Sequence, residues 1–499
     1  MSSTPVRSSF TLLRVAFWCV LLAAVTYTSA DPDLWGNVRF GLDILRDGNI
    51  PHMDAYSFTT DRAWVNHEWL AEVLIGHAFR VGGDAGLIVL KLLAIGCIVL
   101  LLWLTLRRER IYSSSVLDTA VAVTIVLTFE QTRYVRPQLF SLVAFTILLT
   151  CLTRARRGGQ HWLLLLPPLF AVWANLHGGW LVGGGIFALW TVATAFAGNR
   201  RHALWCTVGG GASLAATLLN PYGADLWIFL RDTVGLQRAD IAEWQPVYVL
   251  GWQSSVLWLV TVVVGVTGIV LGNRNERGAE RVACLIALGA LSVMVARVQG
   301  FFALGVLFLV GPAVTRSFQA ARAVEVTPAA KPSSRVMAAF AFATAAGALV
   351  VTTTNLTHLR IDPRWTPEAG GVSFLNAQPT GRRVLLWFDW GGYALWHLSP
   401  RMLISMDGRR ETVYSPTLQD RHLRFYFDAP GGASLPTDLA ADYVWIPRTL
   451  PVVRRLDADG WRRLYEGEQS VIFGRAASPE ANARLVLAAD TEARLFPGP

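Results

Sequence analysis

Asp31 and Asp33 flank a single proline just after the first apolar stretch, and they are the earliest side chains placed to act on a substrate. A carboxylate there can take the proton of an attacking hydroxyl as the bond forms. The D-x-D spacing also suits a divalent metal, but a cation needs more oxygen ligands, which Glu68 or Glu243 would have to supply. Pro32 keeps Asp31 extended. Further along, Arg133 and Arg136 bracket Tyr134, and Arg297 stands between two apolar runs. Guanidinium groups match phosphate oxygens in pairs and stabilise charge that develops on them. His67 and Glu68, Asn175 and His177, Asn220-Pro221-Tyr222-Gly223, Glu243-Trp244 and Gln299 add polar groups able to orient a hydroxylated ligand or pass a proton. Each of these alone reads as a solvated loop residue, so their distribution along the chain decides what they mean.

The elements between them are apolar. Of 499 residues 53% are hydrophobic and 16% charged, against about a quarter charged in soluble domains. Trp is used 20 times, as in chains with extensive membrane–water interfaces. Apolar segments near 11–30, 84–106, 113–129, 137–153, 161–176, 180–197, 203–219, 254–272, 281–297, 299–315 and 336–353 give about eleven spans of membrane-crossing length, and the expected fold is a mainly α polytopic membrane protein. Pro167 and Pro168 predict a kink in the fifth. Arg107, Arg108 and Arg110, then Arg154, Arg156 and Arg157, Arg200 and Arg201, Arg274 and Arg277, and Arg316 and Arg322 occupy every second loop. The positive-inside rule puts those loops and the N-terminus in the cytoplasm and residues 354–499 outside. A cleaved signal peptide over 11–30 is the alternative for the first segment and leaves the rest unchanged. The candidate residues above all fall in the opposite, outward set of loops, where Arg133, Arg136 and Arg297 break the charge rule. The net charge of +9 then reports topology, and no nucleic-acid partner is expected. Cys19, Cys97, Cys151, Cys206 and Cys284 lie in apolar runs without metal or redox spacing and read as small core residues. Lys91 sits near the outer end of its span, as a snorkelling lysine or a phosphate binder. Residues 317–335, Ala-rich with Pro328 and Pro332, read as a flexible cytoplasmic loop.

The first outer loop, 31–83, has structure of its own. Trp35, Val38, Leu42 and Leu45 recur at helical spacing and predict an amphipathic helix on the membrane surface; a second helix is expected from His67 to Phe79. From residue 354 charged residues become frequent. Short strands are expected at Val384–Phe388, Met402–Met406, Tyr443–Ile446 and Val471–Phe473, with helices near Pro367–Ala377 and Pro416–Phe427, a small α/β unit. Asp389-Trp-Gly-Gly-Tyr and Asp407-Gly-Arg-Arg follow strand ends and read as turns or as binding loops.

One span, an acidic residue just outside it and a long outer loop with surface helices resemble the GT-C superfamily of membrane glycosyltransferases, which includes protein mannosyltransferases. More narrowly, Asp31-Pro-Asp-Leu-Trp, Ile50-Pro-His-Met-Asp-Ala-Tyr-Ser-Phe, Trp64-Val-Asn-His-Glu-Trp-Leu, Arg136-Pro-Gln, Trp173-Ala-Asn-Leu-His-Gly-Gly and Asn220-Pro-Tyr-Gly resemble a family of uncharacterised bacterial membrane proteins related to it, over residues 10 to about 320. The resemblance implies a multi-pass protein of the bacterial inner membrane that moves a sugar from a polyprenyl-phosphate donor to an extracytoplasmic glycan, lipid or protein acceptor. It implies Asp33 or Asp31 as the base, Arg133, Arg136 and Arg297 as phosphate binders, and Glu68, His67, Asn175, His177 and Glu243 around the substrate. No organic cofactor is implied. The alternatives are a non-catalytic protein that binds or translocates a lipid-linked glycan, and an envelope scaffold whose outer domain binds a partner.

Overall fold

A computed structural model describes residues 4–235, 241–274, 276–324, 334–362, 365–475, 486–487 and 495–498. The chain divides into two compact units, Met1–Thr28 with Ile88–Thr357, and Ser29–Leu87 with His358–Pro499.

The first unit is helical, with a helix in every apolar segment named above. Four described helices are long and apolar enough to cross a membrane: Trp69–Arg108, Gln138–Arg156, Trp252–Leu271 and Arg335–Thr357. A fifth span results if Ala296–Leu309 and Gly311–Ala321, bent by 54° at their junction, count as one. Helix Gln299–Leu309 is apolar on every side, so it can only be satisfied inside the bundle. Its residues Gly300–Leu309 are all buried, against Ser114–Thr132, Gln138–Arg156, Trp252–Leu271 and Ala279–Met294. Where it ends, the buried Arg281 guanidinium donates to the Leu309 carbonyl at 2.5 Å. The first helix, Thr4–Thr26, packs along the last, Ser334–Thr357, and Asn355 donates to the Ala23 carbonyl at 3.2 Å.

Several sequence expectations change here. Pro167 and Pro168 start helix Leu166–Leu176 rather than kink it, because a proline in the first turn costs no hydrogen bond. Lys91 is buried and donates to the Tyr27 carbonyl at 2.6 Å, so it neither snorkels nor lies exposed. The expected loop 317–335 is helical up to Val324, within Gly311–Val324; 325–333 lie outside the described residues. All five cysteines are free.

The arginine-rich loops gather at one end of this unit. Glu109 pairs with Arg157 and, at 3.1 Å, with Arg316; Arg316 reaches Glu276 at 2.5 Å, Arg156 reaches Glu280 at 3.0 Å, and Arg14 holds Asp118 at 2.7 and 3.0 Å. These ties join six helices, or the turns at their ends, through arginines that sequence alone marks only as topology signals.

The second unit is built on a six-stranded sheet. With β1 (Ser29–Ala30) and β2 (Arg360–Ile361) pairing separately, the sheet takes β3 (Arg382–Leu386), β4 (Met402–Ile404), β5 (Tyr443–Pro447), β6 (Arg462–Glu466), β7 (Ser470–Gly474) and β8 (Val486–Leu487) in the order β4-β3-β5-β7-β6-β8. The β4-β3-β5 part is parallel, and β7 runs antiparallel to both its neighbours. Helices Ala369–Asn376 and Pro416–Tyr426 stand near the expected positions. β6 was not expected, because Arg462-Arg-Leu-Tyr-Glu has only two apolar residues.

The first outer loop is part of this unit. Helix Leu34–Asp47 forms as its periodicity requires, but its apolar face is covered by protein. Trp35 lies edge-on to Tyr393 at 5.6 Å and tilted against Phe496 at 5.1 Å, and the helix packs on Gly391–Leu398. Period shows that one face is buried, not what buries it. The second helix begins at Trp69 and runs on to Arg108 through a break at Gly83, where φ is 54°. Glycine is required where it crosses the first: a Cβ on Gly41 would lie 1.9 Å from the Glu72 carbonyl oxygen. The strand-like stretch Tyr56–Phe58 runs beside β4, with Phe58 N–H donating to the Ile404 carbonyl at 3.1 Å.

Candidate functional site

The end of the first unit opposite the arginine-rich loops carries the other set of polar groups. Arg136 follows helix Ser114–Thr132 and precedes Gln138–Arg156; Arg297 lies in the turn Ala296–Val298 before Gln299–Leu309; Glu243 lies in the turn Ala242–Trp244. The three converge. Arg136 donates to one oxygen of Glu243 at 2.7 Å, and Arg297 donates to the other. Burial by itself would push the Glu243 carboxyl up, but the charges of Arg297 and Arg136 outweigh it and hold the group below the usual carboxylate range. It therefore stays ionised at neutral pH.

A second layer fixes these groups. The Gly179 N–H lies against Nδ1 of His177 at 2.9 Å. The Ser141 hydroxyl is hydrogen-bonded to the same Nδ1 at 2.8 Å and accepts from the Trp173 indole at 2.7 Å. Nε2 points toward Arg297 at 3.4 Å. Gln138 donates to the Arg297 carbonyl at 3.1 Å, and the Tyr134 ring is held between Arg133 and Arg136, each 4.6 Å from its centre. Arg133 also lies 3.5 Å from Glu130. The arrangement is a cationic clamp of fixed orientation, with one carboxylate seated in it.

Of the residues expected around a substrate, Arg133, Arg136, His177, Glu243 and Arg297 are thus brought together. Asn175 is not among them: its amide donates to the carbonyls of Ala171 at 2.7 Å and Leu219 at 2.9 Å, tying two helix ends. Ser141 and Trp173 sit in or beside apolar runs, and no pattern in the sequence marks the first of them.

In the second unit Asp33 is the exposed N-cap residue of helix Leu34–Asp47, its carboxylate lying against Gly408 so closely that a Cβ there would meet it at 2.0 Å. Asp31, two residues earlier, is buried. His67 and Glu68 are half-buried and 3.5 Å apart. Beside them Asn66 donates to the buried Glu72 at 2.5 Å, a carboxylate that sequence reading passed over as part of a helix. The Asp407 loop is a structural centre. Arg409 is bound by Asp54 at 2.8 Å and Asp407 at 2.6 Å, and the rings of Phe40, Tyr56 and Trp64 surround its guanidinium at 4.8, 5.3 and 4.7 Å. Burial opposes its charge, but the two aspartates outweigh burial and hold it protonated. The Asp389 loop is a tight approach, since a Cβ on Gly391 would lie 2.4 Å from the Met406 carbonyl. Among the described residues no group of three or more His, Cys, Asp or Glu is arranged to hold a metal ion.

No protein-family model matches the chain, and no curated protein matches its sequence. Solved structures do match its fold. The archaeal oligosaccharyltransferase AglB from Archaeoglobus fulgidus, in complex with an inhibitory peptide and a dolichol-phosphate, aligns with a TM-score of 0.57 at 13% identity, over 88% of this chain and 69% of its own. ArnT from Cupriavidus metallidurans aligns both bound to undecaprenyl phosphate and in the apo state, each with a TM-score of 0.54 at 12% identity, over 94% of this chain and 98% of that one. At such identities it is the course of the backbone that is shared, and on that ground this multi-pass membrane protein has the GT-C fold of the membrane glycosyltransferases.

Proposed function

We propose that the protein transfers a sugar from a polyprenyl-phosphate donor to an extracytoplasmic acceptor, a cell-envelope glycan, lipid or protein, from the bacterial inner membrane, with its N-terminus in the cytoplasm and about eleven spans. The observation that supports this reading best is the clamp of Arg136 and Arg297 on one carboxylate. Two guanidiniums that hold the two oxygens of a carboxylate have the geometry to hold two oxygens of a phosphate. As the sugar leaves its carrier, charge accumulates on the phosphate oxygens, and fixed cations there lower the barrier. Arg133, stacked on Tyr134, adds to the local positive field. The proton of the acceptor hydroxyl goes to Asp33, the exposed carboxylate of the pair, or to Asp31. Glu68, His67 and His177 are proposed to orient the sugar.

The test is transfer in proteoliposomes, with radiolabelled undecaprenyl-phosphate sugars and an envelope acceptor extract. The wild type is expected to transfer label, and Asp33→Asn and Arg297→Ala to lose transfer about a hundredfold or more. If no donor supports transfer although the lipid is bound, the function is binding or translocation of the lipid-linked glycan instead.

A further inference from the structure

Glu243 does not behave as a group waiting for substrate. It already occupies the place between Arg136 and Arg297, one oxygen to each. We infer that Glu243 is a built-in stand-in for the carrier phosphate, which seats itself by displacing it. The inference rests on the phosphate-binding reading of the clamp. Two guanidiniums facing each other repel, and a carboxylate between them keeps both in place. An arriving phosphate offers the same pair of oxygens with more negative charge, so it outcompetes the carboxylate but cannot share the site with it.

The segment that carries Glu243 is built to yield. It consists of two three-residue 3₁₀ turns, Ala242–Trp244 and Val247–Val249, a geometry with poor hydrogen bonds. It is tied to the turn beneath it by the Ala296 N–H donating to the Gln245 carbonyl at 3.1 Å. Trp244 lies next to Glu243 with Arg297 5.7 Å from its ring. A seated carboxylate also sets the affinity: it shortens the residence of the spent carrier phosphate, because Glu243 reclaims the arginines as the phosphate leaves.

The test is binding of radiolabelled undecaprenyl phosphate to the full chain in lipid nanodiscs, with thermal unfolding as the check on folding. Glu243→Gln and Glu243→Ala are each expected to bind about tenfold more tightly, since they remove the competitor. Glu130→Gln removes an equal charge near Arg133 without vacating the clamp and is expected to change binding less than twofold. Equal or weaker binding by both Glu243 variants overturns the inference and makes Glu243 a structural prop. Equal tightening by Glu130→Gln also overturns it, reducing the effect to net charge. If Arg136→Ala and Arg297→Ala bind the lipid as the wild type does, the phosphate-site reading itself fails, whatever Glu243 does.

Discussion

Ser141 shows how a residue without any sequence signature sets up a charged one. By accepting from Trp173 and hydrogen-bonding Nδ1 of His177 it holds the ring with Nε2 toward Arg297. Arg136 and Arg297 were recognisable as candidates because they interrupt apolar runs on the wrong side of the charge rule, and His177 because it is a polar group in the same set of loops. Their convergence on Glu243 was not, because Arg136 and Glu243 are 107 positions apart and only the helix packing closes that gap. Asn175 has a second role in the packing. It has the residue type of a sugar ligand, but two backbone carbonyls use its amide. In the second unit, burial lowers His422 to about 4, with its Nδ1–H donating to the Leu418 carbonyl. A histidine held neutral in the fold favours folding fully above its unfolded pKa of about 6.5, and that contribution is lost as pH falls toward 4. His422→Phe is therefore expected to flatten the loss of melting temperature between pH 6.5 and 4, as read by thermal unfolding across that range.

At the scale of elements, a caged cation adds to the backbone pairing that holds the outer loop to the sheet. Arg409 gathers Asp54 from the loop and Asp407 from the turn after β4, inside three aromatic rings. Arg409→Met removes the charge and strands both aspartates in a dry site, at a cost of about 3–5 kcal/mol. The expected result is a lower unfolding midpoint and faster proteolysis between residues 50 and 66. Cleavage unchanged from wild type would show that the backbone pairing beside β4 holds the loop without the cage. The helix in this loop was legible from its period. Its partner was not, because an apolar face looks the same whether lipid or protein covers it. The glycines of Asp389-Trp-Gly-Gly-Tyr were legible as turn chemistry and prove to be places where two backbones nearly touch.

At the scale of the molecule, the apolar segments could be read because membrane-spanning length is a strong constraint on sequence, and the alternation of basic loops matches their gathering at one end of the helical unit. Sidedness can be measured. With the five native cysteines replaced, Tyr248→Cys, at an exposed position 68% accessible, is expected to react with an impermeant maleimide in intact cells. Arg201→Cys, on an exposed residue of the other set of loops, is expected to react only after permeabilisation; the reverse pattern would invert the topology. The second unit draws its residues from two stretches, 29–87 and 358–499, and so its assembly depends on the order of synthesis. A ribosome adds about 5–20 residues per second, so the segment that carries Asp33 waits on the order of tens of seconds, while residues 88–357 are made, before β3, β4 and Arg409 exist. During that interval Trp35, Phe40 and Trp64 have no sheet to cover them. A message truncated before residue 358 would yield a helical bundle whose first loop lacks the sheet that covers it.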